Sequence, residues 1–129
     1  KKIDLMFILL ILSFALLYGT VIFNDSLWGD EAYTMLTIKN SFSEILEITA
    51  GDVHPPLYYF IAKIFTLCLG YSVPVVKIAS IVPLILTMFF VWIKSKKLFG
   101  KNANFISLFF ILFIGLCPAS FSMAVELRM

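Results

Sequence analysis

Charge is what this sequence has least of. Ten Lys or Arg and eight Asp or Glu among 129 residues make 14%, where soluble domains carry about a quarter. So little charge cannot solvate the surface of an ordinary soluble domain, and 61% hydrophobic residues with a mean hydropathy of +1.01 point to an integral membrane protein. There are only two cysteines. Cys68 and Cys117 lie in apolar runs without metal-ligand spacing, so they read as plain thiols packed as small hydrophobes, with nothing requiring a disulfide. The basic residues form no aromatic-interleaved patch, which argues against nucleic-acid binding. The net charge of +2 says little about partners; where the charges fall says more.

What the chain has in abundance is long apolar runs, with 14 Phe among them. Leu5–Phe23 carries no charge and follows Lys1 and Lys2. At 1.5 Å per residue it covers a hydrocarbon core of about 30 Å. No small-residue cleavage site follows, so it reads as a spanning helix starting in the cytoplasm rather than a signal peptide. Residues 24–56 are polar, with Asp25, Asp30, Glu31, Glu44, Glu47 and Asp52 against the single Lys39. Two short helices are expected there. One runs from Asp30, as N-cap, to about Ile38. The other covers 41–48, with Ser41 and Glu44 at capping-box spacing and an apolar side suited to a membrane surface.

Residues 57–70 are apolar but span only about 20 Å as helix, too short to cross. Pro74 then opens a second spanning run, 73–93, capped by Ser72 or Val73. A basic turn, 94–103, leads to a third span, 104–122, and to a further polar stretch, 123–129. Keeping 57–70 in the interface places Lys1, Lys2 and the Lys94–Lys101 cluster on one cytoplasmic side, as the positive-inside rule asks; letting it cross would export the cluster. The expected fold is all-α and membrane-integral: three transmembrane helices plus short interfacial helices in the first extracytoplasmic loop. Three helices enclose little space, and the chain begins with Lys-Lys and stops after a polar cluster. It therefore reads as the N-terminal part of a larger multi-helix domain.

Two patches of the polar loop stand out, Trp28-Gly-Asp-Glu-Ala-Tyr-Thr34 and Asp52-Val-His-Pro-Pro-Leu-Tyr-Tyr59. Asp30 and Glu31 both suit a helix N-terminus through capping and the macrodipole. Asp52 and His54, two apart in an extended pre-proline stretch, point the same way and make half of a candidate divalent-metal site; a lone His near a turn is more often simply hydrogen-bonded. No cofactor other than such a metal is expected. Tyr58 and Tyr59 suit the headgroup level, with sugar stacking as the alternative role. Lys63 reads as a snorkelling residue.

In this order, a spanning helix, WGDEAYT, DVHPPLYYF, a helix ending in KKLFG and a further helix leading into ELRM, the chain resembles the N-terminal part of the GT-C class of polyprenyl-phosphate-sugar glycosyltransferases. Within that class it is most similar to protein O-mannosyltransferases and to aminoarabinose transferases that modify lipid A. Where relatives often read Gln-Glu-Ala-Arg-Met-Tyr, this chain has Val125-Glu-Leu-Arg-Met129.

The resemblance implies transfer of a sugar from a polyprenyl-phosphate donor to an extracytoplasmic glycolipid, polymer or protein, with inversion at the anomeric carbon. It matches the loop acid to Asp30 as the base, with Glu31 beside it. Arg128 suits a donor phosphate through paired charge-assisted bonds, with Glu126 orienting it. Plainer readings are an interfacial anchor for Arg128 and a solvated charge for Glu126. The competing reading of the whole chain is a non-enzymatic membrane module, a transporter or assembly subunit whose acidic loop binds a partner. An inactive relative is a third. By itself the 129-residue stretch is expected to catalyse nothing.

Overall fold

The computed structural model describes residues 2–23, 29–52 and 55–125. Among these every regular element is helical: α1 (Lys2–Gly19), α2 (Gly29–Thr37), α3 (Phe42–Ala50), α4 (Pro56–Leu69), α5 (Val73–Phe99), a 3-10 turn (Gly100–Asn102), α6 (Ala103–Leu116) and α7 (Pro118–Val125).

Two stretches, Lys2–Gly19 and Val73–Leu116, are long and apolar enough to cross a membrane. Protein buries only 22% of the first and 33% of an 18-residue apolar window of the second. Phe7, Ile11, Phe14 and Tyr18 make the single inward seam of α1, and meet Ile81 and Met88 of α5, Ile111 of α6 and Ala124 of α7. Leu5, Leu9, Leu12 and Leu16 stay exposed on the outside. A helix apolar all round with one packed seam is compatible with a helical membrane protein.

α5 and α6 form an antiparallel hairpin. Gly100 turns the chain at φ +50, a conformation that a Cβ would strain, and the Ser95 and Ser107 hydroxyls meet across the hairpin. α1 runs antiparallel to α5. Asp4 pairs with Lys96 and Phe7 faces Trp92 near the α1 start, while at its other end Tyr18 donates to the Gly115 carbonyl (3.1 Å) and packs against Phe121.

Three boundaries differ from the sequence reading. The first apolar run, read as a span over 5–23, is helix over Lys2–Gly19, and residues 20–23 are turn. α5 does not stop at Ile93 but continues to Phe99 through Lys94, Lys96 and Lys97. Cations in a last turn complement the helix dipole, so the basic stretch is helix end rather than loop. The third run is also not one helix. Cys117 is extended (φ −65, ψ 120) and Pro118 opens α7. Proline pushes its predecessor out of the α region and lacks the N–H that the helix needs.

The smaller elements gather at the opposite end of α5 from the Lys94–Lys101 cluster. Met35 and Ile38 of α2 and its exit, Ile45 of α3, Tyr59 and Ala62 of α4 and Val76 of α5 form a second core. The capping box is present: Ser41 N–H donates to Glu44 Oε2 (2.7 Å) and Glu44 N–H to Ser41 Oγ (3.3 Å). α4 starts behind extended Pro55 and, at about 21 Å, falls short of crossing. Two side chains close carbonyls at the α2 end, Tyr71 OH on Met35 (2.6 Å) and Lys63 Nζ on Ile38 (3.1 Å). From Lys77 to Lys96 α5 rises about 28 Å, so its basic end and the acidic elements lie roughly a hydrocarbon thickness apart.

Candidate functional site

The first turn of α2 carries Asp30 and Glu31. Asp30 lies inside that turn and does not cap it, because the helix already includes Gly29. Successive helical residues are about 100° apart, and here that step separates the two carboxylates. Glu31, Thr34, Met35 and Ile38 follow i, i+3, i+4, i+7 spacing and are all buried. Glu31 therefore shares the face that packs on α4 and α5, and is 3% exposed. Asp30 is exposed at the edge.

α4 supplies the phenols. Tyr58 OH lies 3.0 Å from Ser80 Oγ of α5. Burial holds its phenol above the usual tyrosine range, and the charge of Glu31 pushes the same way against the Ser80 bond. Tyr59 is buried, its ring 6.5 Å from Tyr33 and 5.9 Å from Tyr58. Its phenol is also raised, first by burial and then by Tyr33 and Asp52 nearby, while a bond with Thr34 opposes them. Tyr33 is raised by burial and by the bond that it donates to Asp52. Tyrosine hydroxyls can donate hydrogen bonds, and so suit phosphate or sugar oxygens.

Of the residues singled out in the sequence, the fold thus brings Asp30, Glu31, Asp52, Tyr58 and Tyr59 to one junction. His54, Glu126 and Arg128 lie outside the described residues. Asp52 is exposed, and among the described residues no group of three His, Cys, Asp or Glu could hold a metal ion. Three members of the junction were missed. Ser80 gave no local signal, and Tyr33 stood inside the first motif without being given a role. Lys77 did give a signal: it is the one charge within an otherwise apolar run, and it is 4% exposed. From Ser80 a groove of ≈ 470 Å³ continues past Pro83 and Thr87 of α5 and Ser120 of α7.

What the junction can do follows from this division. An exposed carboxylate can take a proton from an approaching hydroxyl or amine, and a buried one can orient neighbours. The tyrosines can hold an oxygen-rich group beside them. No protein-family model, curated protein or solved structure matches this chain.

Proposed function

We propose that residues 1–129 belong to a membrane glycosyltransferase that moves a sugar from a polyprenyl-phosphate donor to an extracytoplasmic glycolipid, polymer or protein acceptor. The observation that carries this reading is the split Asp30–Glu31 pair, one carboxylate exposed and one buried, beside the Tyr58 and Tyr59 phenols at the end of the bundle away from the Lys94–Lys101 cluster. The family resemblance of the two loop motifs supports it.

Asp30 is the base. It takes the proton of the acceptor hydroxyl or amine as that atom attacks the anomeric carbon, and the bond to the donor phosphate breaks on the opposite side, inverting the centre. Arg128, with Glu126 beside it, receives the departing phosphate. Glu31 orients the junction, and Tyr58 and Tyr59 contact the sugar or the lipid headgroup. Asp52 with His54 offers two ligands to a divalent cation, to be completed by groups from elsewhere. The groove from Ser80 gives an isoprenoid tail a path beside α5. In this reading α1, α5 and the α6–α7 pair are three spans of a multi-pass protein, with the N-terminus cytoplasmic and the acidic junction outside.

The test uses the polypeptide as the cell makes it, in lipid, with labelled short-chain polyprenyl-phosphate sugars. The expected result is transfer by the parent and loss of transfer, with donor binding retained, in Asp30→Asn. Parental transfer rates in Asp30→Asn would remove Asp30 from the chemistry. A folded parent that binds no such donor would favour the non-enzymatic membrane module.

A further inference from the structure

The basic end of α5 gathers far more positive than negative charge. Lys94, Lys96, Lys97 and Lys101 follow one another closely there, and Lys2 stands at the start of α1, which meets that end. Asp4 is the single acidic residue of the chain outside 25–52 and 126, and it pairs with Lys96. Lys96 is further held over the Trp92 ring, 4.6 Å from its centre.

Lys94 is placed differently. Between α5 and α6 runs a groove of ≈ 220 Å³, walled by Phe90, Leu98 and Phe99 of α5 and by Ile106 and Phe110 of α6. Phe90, Leu98, Phe99 and Phe110 are all exposed. Lys94 lines the same groove, its ammonium 5.4 Å from the centre of the Phe90 ring. Lys97 is exposed and stands three residues on, the spacing of neighbours on one helix side. An apolar slot and a pair of cations therefore share one place.

That combination selects its occupant. A further apolar helix would cover the walls but desolvate the Lys94 charge without answering it. A soluble anion would answer the charge and leave the walls uncovered. A zwitterionic lipid brings a cation of its own beside the lysines. An anionic lipid satisfies both halves, because ammonium groups bind phosphate as point charges and basic pockets between membrane helices hold anionic headgroups.

We propose that this groove is a binding site for an anionic phospholipid, with an acyl chain against Phe90 and Phe110 and the headgroup phosphate between Lys94 and Lys97. The site rests on the membrane placement proposed above and is independent of the transferase activity.

The test places the polypeptide as the cell makes it in phosphatidylcholine nanodiscs with a trace of phosphatidylglycerol that carries a photoreactive acyl chain. Crosslinked peptides are mapped by mass spectrometry. Label is expected on 90–99 and 106–110, and unlabelled phosphatidylglycerol exchanged for part of the phosphatidylcholine should displace it. Lys94→Gln should lower the label there about fivefold, and Lys94→Gln with Lys97→Gln about 25-fold, whereas Lys94→Arg should stay within about twofold. Ile106→Trp, which fills the groove and keeps every lysine, should lower it too. Lys2→Gln removes the same charge from the same end and should leave the label within about twofold of the parent. Equal losses in Lys94→Gln and Lys2→Gln, or label spread evenly over the outer faces of α1, α5 and α6, would overturn the site in favour of a diffuse surface field. Alkaline extraction of native membranes reads insertion separately. A parent that is extracted would sink the membrane placement and the site with it, whereas an inserted parent with even labelling would sink the site alone.

Discussion

Gly115 sits where α6 crosses α1, and adding one carbon there tests the whole packing scheme. A Cβ on Gly115 would lie 2.4–2.6 Å from the Cζ and Cε atoms of Phe14. Ordinary contact begins about 1 Å further out, so the ring must retreat by that amount. Phe14 is only 6% exposed and its cluster includes Phe7, Ile11 and Ile111, so the ring has little room. Overpacking of this kind costs about 1–3 kcal/mol. Replacing a helical glycine with alanine returns about 1 kcal/mol through backbone entropy. Gly115→Ala should therefore destabilise by about 1 kcal/mol net. Phe14→Leu, which removes the offending ring atoms and leaves a smaller void, should cost roughly as much alone. The double variant should be clearly more stable than the sum, with a coupling of about 1 kcal/mol. Reversible unfolding by denaturing detergent in lipid–detergent mixtures measures all four proteins. Strict additivity, or a Gly115→Ala protein more stable than the parent by the full propensity gain, would refute the α1–α6 contact described here.

Other consequences are open to measurement. The bonds from Ser41 hold the Glu44 carboxyl below the usual glutamate range. Its contribution is thus present above the ordinary glutamate pKa and fades as pH falls through the lower folded value. A carboxyl-carbon NMR titration should find Glu44 titrating low, and Ser41→Ala should return it toward normal while costing α3 about 1 kcal/mol. Tyr33 keeps its proton to higher pH because of burial and the bond to Asp52. Asp52→Asn should lower its ultraviolet titration midpoint toward ordinary tyrosine, and an unchanged midpoint would rule that contact out. Pro118→Ala should let α6 run on into α7, read as added helix protection around Cys117. Unchanged exchange there would mean that tertiary packing, not proline, sets the break.

Local rules carried the reading furthest where a feature is settled within one turn. The Ser41–Glu44 box, the proline start of α4 and its short length all follow from neighbours three or four residues apart. Even the division of labour between Asp30 and Glu31 was accessible, since Met35 and Ile38 stand four and seven residues after Glu31 and fix which carboxylate faces inward. Pro118 was equally visible, but an unbroken apolar run from Asn104 masked it, because hydropathy averages over the one residue that stops a helix. The basic stretch after Ile93 read as a loop by charge alone, although lysines are good helix formers and suit a C-terminus. The Tyr58–Ser80 bond, the Phe14–Gly115 contact and the burial of Lys77 depend on how α1, α4, α5 and α6 come together. Periodicity within one helix carries no information on that. The metal and phosphate assignments depended on His54, Glu126 and Arg128, all outside the described residues.

The hydroxyl of Tyr18 has a further meaning once the order of synthesis is considered. In an unbroken helix the Gly115 carbonyl would accept from the amide four residues on; at the proline break it receives the Tyr18 phenol instead. An interrupted helix entering a bilayer needs such a partner at once, because lipid offers none. Tyr18 precedes Gly115 by 97 residues, so at about 5–20 residues per second it leaves the ribosome several seconds or more ahead. The donor is made before the acceptor that needs it. In the membrane reading proposed above, the first helix is thus already in place when the defect that it closes arrives.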